Sequence, residues 1–183
     1  MVARQRVSEV LVARTAELDA RAIGELDRLC TAAFDEAWDG YWERIGPAVH
    51  AFVREGGAVV AHACFVERDL VVDGVELSAA YVEAVAVDPT RQGSGLGSVV
   101  MRQLGARISA GYPLGALATG SNAFYARLGW ETWLGETWLA EHGGRRRMPE
   151  QEGDIMILRT ATTPPGMDVR GTVVGWARAA DPW

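Results

Sequence analysis

The sequence predicts a single domain of the α/β class, covering residues 1–183, with a mixed sheet and helices on its faces. Three observations support this prediction. The length is that of one domain, typically about 100–200 residues. Apolar residues recur at helical spacing near the N-terminus and again after residue 95, whereas the segment between them has the Val- and Ala-rich pattern of strands. Long helices therefore connect only some strands, so the sheet must also contain antiparallel pairs.

The N-terminal third predicts a strand, a helix and a polar loop. Residues 2–13 favour the first strand. Thr15 is a candidate N-cap for a helix that extends to about Phe34, because apolar residues then follow a helical period. These residues are Leu18, Ala22, Leu26, Leu29 and Ala33. Residues 35–42 mix acidic and aromatic side chains and predict a loop with a short helix.

The middle of the chain predicts an antiparallel meander, with strands at residues 50–55, 58–69 and 78–87 and a hairpin between residues 70–72 and 75–77. The dipeptide Asp73-Gly74 is typical of a hairpin turn. A glycine-rich run at 93–97 then opens a helix that extends to about residue 110. A strand at 114–118, a short helix at 121–128 and a late strand at 155–158 follow. The run Arg145-Arg146-Arg147 predicts a solvated loop.

Composition excludes several classes of protein. All 18 basic residues are Arg, so the chain lacks the lysine that a Walker phosphate loop or Schiff-base catalysis needs. A net charge of -6 argues against nucleic acid or a membrane as partner. Two cysteines, Cys30 and Cys64, are too few for a disulfide framework. Without an apolar leader or a long apolar run, the expectation is a soluble, cytoplasmic protein.

The charge is divided unevenly along the chain. Residues 9–43 hold nine acidic residues and three arginines, so the whole excess of negative charge lies there. From Pro89 to Trp130 there is no Asp or Glu, and this window carries four arginines: Arg91, Arg102, Arg107 and Arg127. The division predicts one region suited to a cation and another suited to an anion.

The glycine run follows a strand and begins a helix, an arrangement that binds phosphate. Glycines let backbone N–H groups approach a ligand, and the helix N-terminus adds partial positive charge. A dinucleotide-binding loop is disfavoured because Ser98 stands where its third glycine belongs, and because no acid follows for the ribose. A tight turn before a helix is the structural alternative.

Two motifs carry a resemblance to a known family. The run Gln92-x-x-Gly95-x-Gly97 after a Val/Ala strand resembles the acetyl-coenzyme A signature of the GCN5-related N-acetyltransferases (GNAT). The run Asn122-Ala-Phe-Tyr125-Ala-Arg-Leu-Gly129-Trp130 resembles their second signature. The resemblance implies the GNAT fold: a mixed, mostly antiparallel sheet whose central parallel strands splay apart, flanked by helices.

The resemblance also implies roles for individual residues. Tyr125 would protonate the departing thiolate, and an amine would attack the thioester directly, without a metal. Glu83, a carboxylate in an apolar strand, is the candidate base; a salt bridge to an arginine is its alternative role, as a core aromatic is for Tyr125. Acetyl-CoA as cosubstrate would be held by Val85, Ala86, Val87, Gln92, Gly93, Ser94, Gly95, Leu96, Gly97, Ser98 and Asn122.

Further segments resemble one subgroup, the aminoglycoside 2'-N-acetyltransferases. They are Tyr81-Val-Glu-Ala-Val-Ala-Val87, Leu114-Gly-Ala-Leu117 and Trp176-Ala-Arg-Ala-Ala-Asp181-Pro-Trp183. The resemblance implies that the tail 176–183 folds into the acceptor site. A cationic aminosugar needs several carboxylates. The candidates are Asp35, Asp39, Glu83, Glu152, Asp181 and the Trp183 carboxylate.

The sequence therefore predicts acetyl-CoA-dependent acetylation of an aminoglycoside 2'-amine, giving antibiotic resistance. Because segment 35–47 departs from the subgroup, the acceptor is expected to be narrower, for example kasugamycin. Another small amine, a polyamine or a peptide N-terminus is the alternative acceptor, and a non-catalytic CoA-binding module is the alternative class. The resemblance favours a homodimer.

The remaining reactive or bulky side chains give weaker indications of function. His62 and Cys64 share a strand face, but two ligands fall short of the three or four that zinc requires, so they are expected in the core and no metal site is predicted. Trp38, Trp42, Trp130, Trp133 and Trp138 are expected either in the core or stacked on sugar rings.

Overall fold

A ten-stranded mixed sheet organises the chain in a computed structural model that describes residues 9–177 and residue 183. Its strands are β1 (Val10–Arg14), β2 (Ala48–Glu55), β3 (Ala58–Val72), β4 (Val75–Val87), β5 (Leu114–Ala118), β6 (Glu131–Thr132), β7 (Glu136–Glu141), β8 (Gly144–Arg147), β9 (Ile155–Arg159) and β10 (Thr172–Trp176). The helices of four residues or more are α1 (Ala20–Phe34), α2 (Tyr41–Ile45), α3 (Leu96–Gly111) and α4 (Asn122–Ala126).

The long strands β3 and β4 form the centre of the sheet. Strands β1 to β4 pair antiparallel in chain order. Strand β5 then pairs parallel with β4, and β9 and β6 continue that edge. On the other side, β10 pairs with the end of β3 and leads to β7 and β8. The sheet is mixed and largely antiparallel, with two parallel pairs, β4–β5 at its centre and β10–β7, and it confirms the predicted fold class.

Helices cover both faces of the sheet. Helices α1 and α2 pack on one face around Leu26, Leu29 and Trp42, whereas α3 packs on the other through Val100 and Leu104. Alternate residues of the central strands supply both cores, as the two-residue period of a strand requires. Four of the five singled-out tryptophans are buried (Trp38, Trp42, Trp130 and Trp133), so they serve packing.

The start of α1 differs from the prediction. Asp19 caps the helix, accepting a hydrogen bond from the Ala22 amide over 2.8 Å. Thr15 is therefore not the N-cap; it begins a short 3-10 turn, and its hydroxyl instead accepts from the Ala48 amide over 2.9 Å. Thr15 directly follows β1 and its hydroxyl is engaged by β2, so Asp19 is the residue whose side chain caps the helix.

The arginine run is also placed differently from its prediction. Arg145, Arg146 and Arg147 lie in β8, paired with β7, and not in a loop. Arg146 forms an ion pair with Glu141 across the hairpin. Opposite charges between paired strands support a strand that a charge run does not suggest by itself. No helix in the described part of the chain has the length and apolar character to cross a membrane.

Candidate active site

A cleft of about 780 Å³ opens where β4 and β5 diverge. The two strands pair only from Ala79 to Tyr81 on β4, opposite Leu114 to Ala116 on β5. Beyond this point both strands line the cleft without pairing with each other. Its wall consists of Phe34, Tyr81, Val82, Glu83, Ala84, Val85, Val87, Arg91, Gln92, Gly93, Gly95, Leu96, Gly97, Ser98, Leu117, Ala118, Thr119, Ser121, Phe124, Tyr125, Arg127 and Trp183.

A bulge in β4 shapes one wall of the cleft. His62 pairs with Ala86 and Cys64 with Glu83, so Ala84 and Val85 together face a single residue of β3. Ala84 adopts a left-handed backbone with a φ of 52°. This conformation costs a side-chain-bearing residue about 1–3 kcal/mol and persists only where its surroundings enforce it. The strain therefore lies at the functional cleft, next to Glu83.

The glycine loop ends the cleft at the start of α3. Gly93 and Gly95 have φ angles of 73° and 86°, which glycine adopts at little cost. Gly95 is the N-cap of α3 and provides no side chain to cap the first helical amides. These amides and the positive end of the helix dipole are suited to a phosphate group.

Glu83 lies half-buried on the cleft wall and is held by a residue from α2. The Tyr41 hydroxyl donates a hydrogen bond to Glu83 Oε2 over 3.0 Å. This bond fixes the carboxylate between the N-terminal segment and β4. Strands advance about 3.3 Å per residue, so Glu83 is roughly 13 Å along β4 from the strand end that leads to the glycine loop. The anion-binding end and the carboxylate are thus well separated.

Tyr125 reaches the cleft from α4. Burial raises the pKa of its hydroxyl to about 12, against a smaller lowering by a hydrogen bond with Thr119. The phenol therefore remains protonated throughout the neutral range. A protonated, buried phenol at a cleft is able to donate a proton to an anion formed there.

Trp183 also lines the cleft, and its ring is buried against β10. A Cβ placed on Gly175 would come within 2.9 Å of the ring, so only glycine leaves room for it. The Arg68 guanidinium lies 4.5 Å from the Tyr81 ring centroid and 5.9 Å from that of Trp183. The Arg68 side chain also donates to the Trp176 carbonyl over 3.0 Å.

Other predicted site residues lie outside the cleft wall. Ala86 is buried in the core, Ser94 is exposed, and Asn122 donates to the Gly153 carbonyl over 2.8 Å. Asp35, which ends α1 in a left-handed conformation, and Asp39 are exposed. Glu152 forms an ion pair with Arg147 at 2.8 Å. Asp181 lies outside the described residues.

Several residues that line the cleft or hold a lining residue were not predicted as site residues. Phe34 and Thr119 carry no motif, and Tyr41, which holds Glu83, is 42 positions away from it in sequence. Only the fold brings them together. Arg91 and Arg127 had a signal in the acid-free arginine window, and both line the cleft. Arg91 is paired with Glu55, whereas Arg127 lies 6.0 Å from the Phe124 ring centroid.

Comparison with known families decides the class. The family described as the acetyltransferase (GNAT) domain matches residues 12–133, well over half of the chain. The chain belongs to the GNAT acetyltransferases. This GNAT acetyltransferase is also 34% identical over 161 residues to an aminoglycoside 2'-N-acetyltransferase of Mycolicibacterium fortuitum. The match covers 86% of this chain and 82% of that protein.

Solved structures share the fold. A GNAT family N-acetyltransferase from Escherichia coli in complex with CoA matches with a TM-score of 0.64 at 17% identity, covering 92% of this chain and 90% of that one. A GCN5-related N-acetyltransferase from Kribbella flavida matches with a TM-score of 0.57 at 22% identity. The latter match covers 70% of this chain and 34% of that one, so the present chain spans about a third of the longer protein.

Proposed function

We propose that this GNAT acetyltransferase transfers an acetyl group from acetyl-CoA to the 2'-amine of an aminoglycoside, and that the product no longer acts as an antibiotic. The aminoglycoside 2'-N-acetyltransferase at 34% identity supports the acceptor class. The observation that carries the chemistry is the cleft between the diverging strands β4 and β5, which a glycine loop, a half-buried carboxylate and a protonated phenol all line.

The residues fit the parts of acetyl-CoA. The amides of the loop that contains Gly93 and Gly95 would hold the pyrophosphate, with Arg127 nearby to balance its charge. The edge of β4 that no longer pairs with β5 after Tyr81 would pair with the pantetheine arm as an added strand does. Bound acetyl-CoA supplies an activated acyl group as a thioester.

Two side chains would move the protons. Glu83 takes a proton from the acceptor ammonium, directly or through a water, so that the nitrogen lone pair is free. The amine nitrogen attacks the thioester carbonyl; a C–N bond forms and the C–S bond breaks. Tyr125 gives its proton to the departing thiolate. The attacking nitrogen loses a second proton, which restores the Tyr125 phenol, and Glu83 releases its proton to solvent. The products are the acetylated amine, free CoA and one proton, so atoms and charge balance without a metal or a covalent enzyme intermediate.

The aromatic lining favours a sugar ring. Phe34, Tyr81 and Trp183 line the same cleft as Glu83 and offer apolar faces to a ring that carries the amine. The Trp183 carboxylate, Asp35, Asp39, Glu152 and Asp181 remain proposals as further partners for a cationic acceptor.

One observation favours a second class of acceptor. Within the described residues, Glu83 is the only acidic side chain that lines the cleft. A polycation needs several carboxylates, so an acceptor with a single reacting amine, such as kasugamycin or another small amine, is the alternative.

A panel assay tests the proposed function. The enzyme is incubated with acetyl-CoA and either 2'-amino aminoglycosides, kasugamycin, polyamines or short peptides, and released CoA thiol is detected. We expect turnover on a 2'-amino antibiotic, and the mass of that antibiotic should increase by one acetyl group. Turnover restricted to peptides or polyamines would remove the resistance function, and CoA binding without any turnover would favour the non-catalytic module.

A further inference from the structure

Two fully buried histidines lie behind the bulge of β4. His50 on β2 and His62 on β3 are both 0% exposed, and His50 Nδ1 lies 3.0 Å from His62 Nε2. Beyond the pair, His62 Nδ1 lies 2.9 Å from the Ala84 carbonyl oxygen, and His50 Nε2 lies 3.0 Å from the Thr15 hydroxyl. The groups form one continuous chain of hydrogen bonds from the N-terminal turn to the bulge.

The chemistry of the last acceptor fixes the direction of this chain. A carbonyl oxygen only accepts, so His62 carries its proton on Nδ1 and leaves Nε2 as an acceptor. His50 must then donate from Nδ1, and its Nε2 accepts from the Thr15 hydroxyl. Burial keeps both rings neutral: it lowers the pKa of His62 to about 3, with a smaller effect of His50, and the pKa of His50 to about 4.

Two side chains of β3 hold the bulge by hydrogen bonds to two successive carbonyls of β4. His62 donates to the Ala84 carbonyl, and the Cys64 thiol donates to the Glu83 carbonyl with the sulfur 3.5 Å away. Trp42 lies edge-on to both imidazoles, with ring centroids 5.4 Å away, and shields them. Ala84 is the left-handed residue that needs enforcement by its surroundings, and Glu83 precedes it.

From this arrangement we infer that His62, oriented by His50 and Thr15, is a positioning residue that holds the β4 bulge and thereby aims the Glu83 carboxylate at the acceptor amine. The inference rests on the proposed function for the role of Glu83. His62 does not line the cleft, so it acts without contacting the substrates. Its effect is transmitted through the Ala84 carbonyl and the backbone of β4.

Paired substitutions test the inference. His62→Leu removes the donor to Ala84, whereas His62→Asn keeps an N–H near the position of Nδ1. We expect His62→Leu to lower kcat by about tenfold or more, because small misplacements of a catalytic group are costly. His62→Asn should retain kcat within about threefold of wild type, and the KM for acetyl-CoA should change little in either. An equal kcat for His62→Leu and wild type would overturn the inference.

A matched control separates positioning from loss of stability. Leu70 is fully buried on the same strand, away from the bulge. Leu70→Ala should lower the melting temperature and leave kcat unchanged at a temperature where it is folded. If Leu70→Ala lowers kcat as much as His62→Leu does at the same loss of melting temperature, the effect of His62 is general destabilisation and the inference fails.

Nuclear magnetic resonance gives a readout that does not depend on turnover. Backbone amide signals of Glu83, Ala84 and Val85 should shift in His62→Leu and stay near their wild-type positions in His62→Asn. Unchanged signals in His62→Leu would refute the inference. If wild type acetylates no amine, the proposed function falls, and the amide signals still decide whether His62 holds the bulge.

The ring nitrogens report on the direction of the chain and on a rival use of the cluster. His50 Nδ1, His62 Nε2 and Cys64 Sγ lie within 4.8 Å of one another. Long-range ¹H–¹⁵N spectra of wild type should show both histidines neutral and protonated on Nδ1, without change on addition of Zn²⁺. Stoichiometric Zn²⁺ binding that shifts these signals, or a His50 protonated on Nε2, would contradict the inference.

Discussion

Each of the two proposed catalytic side chains lies next to a polar partner from another part of the chain. Glu83 on β4 accepts from Tyr41 on α2, and Tyr125 on α4 interacts with Thr119, which follows β5. Partners of this kind fix the orientation of a catalytic group before substrate binds. In the proposed mechanism the two groups act from different elements of the cleft, Glu83 on the incoming amine and Tyr125 on the leaving thiolate.

Tyr125→Phe removes the proposed acid and keeps the ring. Without a proton donor the thiolate leaves slowly, so we expect kcat to fall by about 10²-fold while CoA affinity is unchanged. Steady-state kinetics and calorimetric titration with CoA measure both. Tyr112→Phe is the matched control, because Tyr112 bonds to Glu67 and does not line the cleft. A Tyr125→Phe enzyme with wild-type kcat would exclude the role.

Glu83→Gln removes the proposed base with little change in shape. At neutral pH the acceptor ammonium would keep its proton, so kcat should fall by about 10²-fold. Because the amine itself loses its proton at higher pH, the variant should recover activity as the pH is raised, which pH–rate profiles would record. Glu76→Gln, an exposed change on the same strand, should behave as wild type. Equal profiles for Glu83→Gln and wild type would rule out Glu83 as the base.

Two features give the cleft its form: the separation of β4 from β5 and the start of α3. Strands β4 and β5 separate after three paired residues, and α3 begins at an uncapped glycine. The separation leaves the backbone of β4 free on one side, and the glycine loop directs amides towards the same space. The shape of the cleft depends on where the two strands separate and where α3 begins. The short glycine-rich segment before α3 therefore carries much of the signal for it.

Gly95→Ala tests the glycine loop. The left-handed backbone at Gly95 costs an alanine about 1–2 kcal/mol, so the loop should shift and the Kd for CoA should rise by about tenfold. Gly105→Ala, in the middle of α3 with only ordinary contacts around its Cβ, is the control and should leave the Kd unchanged. Calorimetry compares the two. Wild-type affinity in Gly95→Ala would show that the loop does not bind CoA.

Gly175→Ala tests the packing of the Trp183 ring against β10. The added methyl group would displace the ring, so we expect the acceptor KM to rise roughly threefold to tenfold, the effect of about 1 kcal/mol, with the acetyl-CoA KM unchanged. Gly24→Ala, which adds a methyl group in open space on α1, is the control. Two-substrate kinetics separate the constants. An unchanged acceptor KM in Gly175→Ala would remove Trp183 from the acceptor site.

At the scale of the whole molecule, the sequence predicted the central elements and missed much of the periphery. The alternating apolar residues of β3 and β4 and the Asp73-Gly74 turn specify the longest hairpin, because a two-residue period and a tight turn are local signals. Strand β6 has two residues and β8 is formed of arginines, so neither has an apolar pattern. Strand β6 pairs with β9, which is distant in sequence, whereas β8 forms a hairpin with β7 that its own residues do not indicate.

The part of the candidate site that lies in recognisable sequence motifs was predictable from the sequence. Most of the glycine loop, Glu83, Tyr125 and Trp183 line the cleft, and their roles stay predictions. Tyr41, Thr119 and the histidine pair were missed because hydrogen bonds between remote segments leave no trace in spacing. The acidic N-terminal segment contributes Phe34 to the wall, whereas its Asp35 and Asp39 remain exposed. The homodimer, the resistance phenotype and the cytoplasmic location stay predictions.

The most direct test of the proposed activity compares two acceptors that differ at one position. Kanamycin B carries an amine at the 2' position, where kanamycin A carries a hydroxyl. We predict rapid release of CoA with kanamycin B and little turnover of kanamycin A. The NMR spectrum of the kanamycin B product should place the acetyl group on the 2' nitrogen. Equal turnover of the two compounds, or acetylation of kanamycin B at another nitrogen, would contradict this prediction.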